Sequence, residues 1–361
     1  MNKNKSHKSA LQEKEGVSPP ETLNPNLAGK IRKVKRKTRS TADFLKEIRE
    51  GNQAVLSQAI TLIESRAPRH QEQARALLEA CLPFSDHSVR IGITGVPGVG
   101  KSTFIENFGK LLIEKGKKVA VLAVDPSSSI SRGSILGDKT RMEELVKEKN
   151  AFIRPSASGE TLGGVARKTR ETIILCEAAG FDIILIETVG VGQSETAVHS
   201  MSDFFLLLKL AGAGDELQGM KRGIMEMADC IVINKADGEN LKSAKMARNE
   251  FNRALHLFPA KESGWSAKAL LSSSMTKEGI PEIWETISEY LEKVTQNGYF
   301  NHKRKEQNRF WLMQSIEDQL KSDFFEQPKI KEAMRQQLKA LENNQTTPFE
   351  AARYLLMLSK E

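Results

Sequence analysis

The sequence predicts an α/β fold in which helices cover a mostly parallel central sheet, with a helical extension at each end. The first observation is that short apolar runs alternate with helical patterns between Val89 and about Tyr290, as in consecutive βαβ units. The second is that these runs are continuous, which is typical of strands covered on both faces. The third is a glycine-rich turn that joins the first run to the helix after it.

Seven apolar runs are predicted to form the strands of this sheet. A helical pattern precedes them from Thr41 to about Ala80, and helical patterns follow them from about Asn301. The predicted strands are Arg90–Thr94, Lys118–Val124, Ala151–Ile153, Asp182–Ile186, Phe204–Leu208, Cys230–Ile233 and Ala269–Ser272.

The C-terminal helical patterns carry apolar stripes that need a partner surface. After Pro328 a second stripe begins, and the segment from Thr347 to Glu350 predicts the capped start of a last helix. Because an apolar stripe has to be buried, it packs either on the chain's own core or in a subunit interface. The first stripe consists of Phe310, Met313, Ile316, Leu320 and Phe324.

The net charge of +8 is confined to the first 40 of the 361 residues. That segment holds 11 of the 54 Lys and Arg and 3 of the 46 Asp and Glu, so the remaining chain is neutral. A solvated tail without stable structure is the simplest interpretation, with an RNA, membrane or targeting role for Lys30–Arg39 as the alternative. The charge therefore gives no reason to expect a nucleic-acid partner for the folded part.

Cysteine usage and hydropathy favour a cytoplasmic protein. Cys81, Cys176 and Cys230 are far apart and form no C-x-x-C pair, as expected in a reducing compartment. The apolar runs, such as Phe204–Leu208, are too short to span a bilayer, and no secretory signal is expected at the N-terminus. The six histidines have no metal-ligand spacing.

The glycine-rich turn matches the phosphate-binding pattern G-x-x-x-x-G-K-[ST] between a strand and a helix. Its glycines allow backbone N–H groups to surround a phosphate chain at a helix N-terminus. Lys101 is predicted to reach the β- and γ-phosphates, and Ser102 to hold Mg²⁺. The predicted phosphate-binding residues are Gly95, Val96, Pro97, Gly98, Val99, Gly100, Lys101, Ser102 and Thr103.

A second motif, Asn234-Lys235-Ala236-Asp237, follows a predicted strand and indicates guanine. The carboxylate of Asp237 can accept from N1–H and the 2-amino group of guanine, whereas adenine offers no such donor pair. Asn234 and Lys235 are predicted to brace the base and the loops around it. The sequence therefore favours GTP and GDP over ATP.

A purine site also needs a loop that covers the base. Ser273, Ser274 and Met275 are predicted to form it, because they follow an apolar run and precede a turn. The pair Ser266 and Ala267 has a similar composition but lacks a preceding strand.

Carboxylates at predicted strand ends indicate a Mg²⁺ site. Glu187 ends one apolar run, as in a Walker B element, and Asp125 ends another. Asp138 is either a third metal ligand or a helix N-cap. Because Mg²⁺ needs few protein oxygens, Ser102 with some of these three carboxylates suffices.

The segment after Glu187 is the candidate γ-phosphate sensor and hydrolytic element. Gly190 can bring its N–H to a γ-phosphate and move away when that phosphate leaves. Gln193 lies three residues later and is the candidate water-positioning side chain, so a partner is expected to accelerate slow intrinsic hydrolysis. The predicted catalytic residues are Lys101, Asp125, Glu187, Gly190 and Gln193.

Seven ordered segments resemble the methylmalonyl-CoA mutase-associated GTPases, the MeaB, MMAA and ArgK-like P-loop GTPases, over roughly residues 41–361. The sequence departs from the family pattern at three places. Lys209-Leu210-Ala211 replaces a segment that usually contains proline, Arg132 replaces a usual glycine, and Ser274 replaces a usual alanine. The segments are Gly95–Thr103, Val124–Ser128, Gly133–Met142, Thr161–Val165, Ile186–Glu195, Gly214–Gly219 and Asn234–Asp237.

The resemblance implies a GTPase chaperone that hydrolyses GTP to GDP and phosphate. It implies docking on an adenosylcobalamin-dependent acyl-CoA mutase, with hydrolysis gating cofactor loading and protecting the mutase. It also implies a homodimer formed through the C-terminal arm, and Mg²⁺ among Ser102, Asp125, Asp138 and Glu187. The glycine-rich loop Ala211–Arg222 is implied to be a partner-sensing switch, whose candidate residues are Asp215, Glu216, Gln218 and Lys221.

Taken with the motifs, these patterns divide the chain into four segments. We expect a basic tail over 1–40, an N-terminal helical extension over 41–88, a P-loop GTPase domain over 89–295 and a helical dimerisation arm over 296–361.

Two other functions compete with the mutase chaperone. A nickel-insertion GTPase would need a Cys or His metal site between the switch elements, and the sequence contains none. A protein kinase of an amino-acid transport system would transfer phosphate to a protein, whereas a chaperone would release it to water.

Overall fold

The apolar runs form one parallel sheet of seven strands in the order β3-β2-β4-β1-β5-β6-β7 in the computed structural model of the chain. The structure describes residues 39–65, 67–124, 142–155, 162–188, 194–212 and 222–360. Every strand lies within two residues of its predicted bounds. The strands are β1 (Val89–Gly95), β2 (Val119–Val124), β3 (Ala151–Arg154), β4 (Ile183–Thr188), β5 (Phe204–Leu210), β6 (Cys230–Asn234) and β7 (Lys268–Leu271).

Helices cover both faces of this sheet and extend beyond it at both ends. No helix in the described ranges is long and apolar enough to cross a membrane. The helices are α1 (Thr41–Arg49), α2 (Gln53–Glu64), α3 (Pro68–Cys81), α4 (Lys101–Glu114), α5 (Leu162–Ala178), α6 (Ser194–His199), α7 (Arg222–Met227), α8 (Leu241–Leu255), α9 (Ile280–Gln296), α10 (Tyr299–Glu326), α11 (Pro328–Glu342) and α12 (Pro348–Leu358).

Complete burial explains why the strands are continuously apolar. Every residue of β2 and β4 is buried, because one face of the sheet packs on α4 and α9 and the other on α5 and α6. On the first face, Phe104 and Phe108 of α4 stack with ring centroids 5.5 Å apart. On the second, Phe152 and Phe181 pack with centroids 5.9 Å apart. The core thus lies on both sides of the central strands, as the sequence predicts.

The N-terminal helices pack against the second face and belong to its core. The predicted apolar positions of α2, including Leu56 and Ile60, are buried. Polar contacts also fix α2 to the domain: Arg154 pairs with Glu64, and Lys168 donates to the carbonyl of Ile63.

The long helix α10 is attached to the segment before β5 by polar contacts and turns an apolar stripe outward. Gln307 donates to the carbonyl of Ser202 at 2.9 Å, and the Trp311 indole donates to that of Ser200 at 3.1 Å. The predicted apolar stripe lies on the other side, where Leu320 is 64% exposed. Within the described part of the chain, these stripe residues do not pack on the core of the sheet. The exposed stripe residues are Phe310, Met313, Ile316 and Leu320.

The first turns of α10 are fixed by a buried network of charges at the amino ends of the strands. The guanidinium of Arg304 donates to Asp203 at 2.6 and 2.8 Å and to the carbonyl of Ser88 at 2.7 Å. Glu177 accepts from Arg90 at 2.9 Å in the same network. Burial alone would lower the pKa of Arg304, but hydrogen bonding to Asp203 and its charge outweigh burial and raise the pKa above its ordinary value.

We predict that Arg304→Ala destabilises the protein by about 3–5 kcal/mol, because it leaves buried carboxylates without their cation. Urea unfolding at neutral pH measures this loss. Arg353→Ala is the matched control, since its ion pair with Glu350 is mostly exposed and contributes little. Equal, small effects of the two substitutions would show that the network does not anchor α10.

Candidate functional site

The candidate site lies at the edge of the sheet where the parallel strands end. Four of these ends lead into the predicted motifs: Gly95 of β1, Val124 of β2, Thr188 of β4 and Asn234 of β6. Open parallel sheets bind ligands outside the carboxyl ends of their strands, at the point where the order of connections reverses. The fold therefore brings together motifs that are more than a hundred residues apart in the chain.

The glycine-rich turn connects β1 to α4 in a conformation that requires its glycines. Gly98 and Gly100 have φ of 80° and 95°. A Cβ on Gly100 would also lie 2.8 Å from the side-chain nitrogen of Asn234, closer than real contacts allow. The ammonium of Lys101 is folded over this turn and donates to the carbonyl of Gly95 at 2.7 Å.

The other residues of the turn differ in exposure in a way that suits a phosphate cradle. Val99 is fully buried and anchors the turn to the core, whereas Val96, Pro97 and Gly98 are exposed. Ser102 is half-buried and Thr103 is exposed at the start of α4. The turn is thus fixed at its base and open above the first turn of the helix.

Asn234 ties the phosphate loop to the candidate base loop. Its side chain is fully buried, and its amide nitrogen donates to the carbonyl of Val99 at 2.8 Å. Its amide oxygen accepts from the hydroxyl of Ser274 at 3.1 Å. Lys235, which has a positive φ of 56°, donates to the carbonyl of Gly98 at 2.9 Å. Both residues therefore brace the phosphate loop, and Asn234 also braces the candidate base loop.

The carboxylate of Asp237 lies beside the candidate base loop and accepts from the hydroxyl of Ser273. The same hydroxyl oxygen accepts from the Thr276 amide at 3.1 Å, which closes the loop into a turn. Gly279 ends the turn with φ of 79°, and a Cβ there would be 2.0 Å from the carbonyl oxygen of Leu271. One oxygen of Asp237 is thereby oriented by the protein.

Two further details place the base loop. Met275 is 86% exposed, so its side chain is available to lie over a base. Ser266 and Ala267 precede β7, whose amino end lies at the opposite edge of the sheet. They are therefore far from the phosphate loop.

Glu187 is the predicted metal-site carboxylate that the structure describes. It is buried at the penultimate position of β4, in register with Ile93 of β1 and Ala123 of β2. The hydroxyl of Thr188 next to it donates to that of Thr94 at 2.9 Å and joins the ends of β4 and β1. The hydroxyl of Ser102 and this carboxylate are hard oxygen donors of the kind that Mg²⁺ prefers, so the residues fit the ion.

Eight predicted site residues lie outside the described part of the chain. In sequence, two lie between β2 and β3, two lie between β4 and α6, and four lie between β5 and α7. These residues are Asp125, Asp138, Gly190, Gln193, Asp215, Glu216, Gln218 and Lys221.

Asn107 on α4 is a contact residue of this edge that the motifs do not contain. Its side-chain amide donates to the carbonyl of Ser274 at 2.8 Å. The only hint in the sequence is an asparagine in the middle of a helix, where it is a poor helix former.

Comparisons with known proteins agree with this architecture. The family model described as "Methylmalonyl Co-A mutase-associated GTPase MeaB" matches residues 56–329. GTPase ArgK of Escherichia coli is 46% identical over 314 residues, which cover 87% of this chain and 95% of that protein. The mouse protein named methylmalonic aciduria type A homolog, mitochondrial, is 44% identical over 321 residues. The match covers 86% of this chain and 77% of the mouse protein.

A solved structure supports the same fold over nearly the whole chain. The crystal structure named LAO/AO transport system kinase is 40% identical, with a TM-score of 0.71, and covers 89% of this chain and 98% of its own. Relatives of this chain are named GTPases. The phosphate loop and the parallel sheet are those of a P-loop GTPase. The chain therefore belongs to the methylmalonyl-CoA mutase-associated GTPase family and is a GTPase.

Proposed function

We propose that this GTPase is a chaperone of an adenosylcobalamin-dependent acyl-CoA mutase, with methylmalonyl-CoA mutase as the first candidate client. GTP hydrolysis would gate loading of the mutase with its cofactor and protect the loaded mutase. The family description and the name of the mouse relative support this client. The observation that carries the nucleotide half of the proposal is the placement of Asp237 and its base loop beside the phosphate loop.

In this proposal the base is selected by Asp237. One carboxylate oxygen is held by Ser273, which leaves the group oriented to accept from the two donors of guanine. Adenine would leave that carboxylate unpaired, at a cost of a few kcal/mol. Met275 and the aliphatic part of Lys235 would lie against the two faces of the base.

The phosphate loop would hold the triphosphate and position it for hydrolysis. Lys101 would exchange the carbonyls of Gly95 and Val96 for phosphate oxygens, which are stronger partners for an ammonium group. Gly190 would donate its N–H to the γ-phosphate, and Gln193 would help to orient the attacking water. Catalysis by such a site consists mainly of positioning and charge stabilisation.

Ser102 and Glu187, with Asp125 and Asp138 from the undescribed segment, would hold Mg²⁺. The bound ion supplies charge neutralisation to the β- and γ-phosphates. Glu187 suits this role because strand register places it next to the end of β2, from which Asp125 follows directly. Asp138 retains its alternative role as a helix cap.

The outward face of α10 supports a homodimer formed through the C-terminal arm. Four large apolar side chains share this face and are each between 44% and 64% exposed. Contiguous exposed apolar side chains of this kind are typical of a protein–protein interface. A second copy of the same arm satisfies this need in a symmetric, self-complementary way.

The proposal places the protein in the cytoplasm with its client, without a membrane or nucleic-acid partner. A kinase of an amino-acid transport system is the second candidate, because a related crystal structure carries such a name. For a metal-insertion role, no group of three or more His, Cys, Asp and Glu side chains that could hold a metal ion occurs among the described residues.

We predict that Asp237→Asn loses GDP affinity by about 2–4 kcal/mol and gains affinity for xanthosine diphosphate. The amide keeps an acceptor for Ser273 but presents a donor where guanine also presents donors. Calorimetric titration with both nucleotides measures the change. Glu239→Gln, an exposed neighbour in the same turn, is the control and should leave both affinities unchanged. Native GDP affinity in Asp237→Asn would exclude Asp237 from the base site.

We predict that Lys221→Ala retains most basal GTP turnover but loses most of the acceleration given by the mutase. Lys221 lies in the glycine-rich loop after β5, where a charge can change partners when the client docks. Phosphate release is measured with and without the cognate mutase for both proteins. Equal acceleration of the variant would show that this loop does not transmit docking. Phosphate transfer to a transport protein, with no response to any cobalamin-dependent mutase, would favour the kinase.

A further inference from the structure

We propose that Asn107 is a positioning residue for the purine base, which holds the base loop in place from the side of the phosphate helix. This inference rests on the proposed guanine site and concerns a residue outside all of its motifs. Asn107 lies on α4, nearly two turns after Lys101. Its amide nitrogen donates to the carbonyl of Ser274 at 2.8 Å and to that of Thr103 at 3.0 Å. The helix that binds phosphates is thereby tied directly to the loop that covers the base.

The bond to Ser274 fixes the orientation of a peptide plane. Because a peptide is planar and trans, its N–H points opposite to its carbonyl. The carbonyl of Ser274 faces α4, so the amide of Met275 points away from α4. Within the described part of the chain, the amides of Ser274 and Met275 have no protein acceptor, whereas those of Ser273 and Thr276 bond within the loop.

Two neighbouring amides beside Asp237 suit a carbonyl oxygen of a ligand. Guanine carries such an oxygen, O6, on the same edge as N1–H and the 2-amino group, from which Asp237 would accept hydrogen bonds. Adenine carries an amino group at that position and gains nothing from these amides. Asn107 would therefore favour purines that have O6, although its side chain does not touch the base.

Asn107 is the contact that completes the support of this loop. Asn234 and Asp237 hold Ser274 and Ser273 from the side of β6. Asn107 holds the carbonyl of Ser274 from α4 on the other side. Without it, the loop keeps its hydroxyl contacts but the peptide after Ser274 can rotate. The structure offers no helix-stabilising reason for this residue, since alanine is a better helix former.

Binding of GDP, IDP and ADP to native protein and to Asn107→Ala tests the inference. We expect GDP and IDP to lose about 3- to 10-fold in affinity, the worth of one neutral hydrogen bond. Their ratio should stay constant, because both bases carry O6 and differ only at the 2-amino group that faces Asp237. The weak affinity for ADP, titrated to millimolar concentration, should not change.

Two variants and one kinetic measurement separate positioning from support of the helix. Asn107→Asp has the same size but sets a carboxylate against the carbonyl of Ser274, so it should lose at least as much GDP affinity as the alanine variant. Glu114→Ala, at the exposed end of α4, should behave as native protein. In GTP turnover Asn107→Ala should raise KM by a similar factor and leave kcat nearly unchanged.

The results that overturn the inference differ from those that overturn the guanine site. An equal loss for GDP and ADP would mean that Asn107 only supports α4 and its phosphate loop. Native affinity of Asn107→Ala for GDP would mean that the bond to Ser274 does not position the base loop. Failure of native protein to prefer GDP to ADP would instead remove the guanine site itself, and the inference with it.

Discussion

The buried amide of Asn234 is the contact on which the candidate site depends most. It donates to the phosphate loop at Val99 and accepts from the base loop at Ser274. Its loss would leave a buried carbonyl and a hydroxyl without partners, at about 1–3 kcal/mol for each group. Position 100 requires glycine, because a Cβ there would collide with the side-chain amide of Asn234. The spacing between the phosphate loop and the candidate base loop is therefore set by contacts within the protein.

A second constraint determines how the C-terminal arm leaves the domain. Arg304, Gln307 and Trp311 fasten α10 to the segment between α6 and β5. That segment follows α6 in the chain. Helix α6 in turn begins at Ser194, directly after Gln193 of the predicted γ-phosphate sensor and hydrolytic element. The polar contacts face inward and the apolar stripe faces outward, so the arm can present an apolar surface without weakening its own attachment. The candidate nucleotide site and the exposed stripe of α10 are thus both attached to the same sheet.

The sequence predicted the strands well for a physical reason. A strand covered on both faces needs a continuous apolar run, and all seven runs lie in the sheet within two residues of their predicted bounds. The described residues of the phosphate loop and of the Asn234–Asp237 motif lie close together because parallel strands end at one edge. Asn107 could not be found in this way, because its partner is 167 residues away and no local pattern links them. Periodicity identified the stripe on α10 but could not decide whether it faced the core or solvent.

The most direct test of the guanine site is calorimetric titration of nucleotide-free native protein with GDP and with ADP. The oriented carboxylate of Asp237 predicts GDP binding at least about 100-fold tighter than ADP binding, since a charged hydrogen-bond pair is worth a few kcal/mol. Equal affinities would contradict the site described here, because the base would then make no contact with Asp237 that distinguishes guanine from adenine.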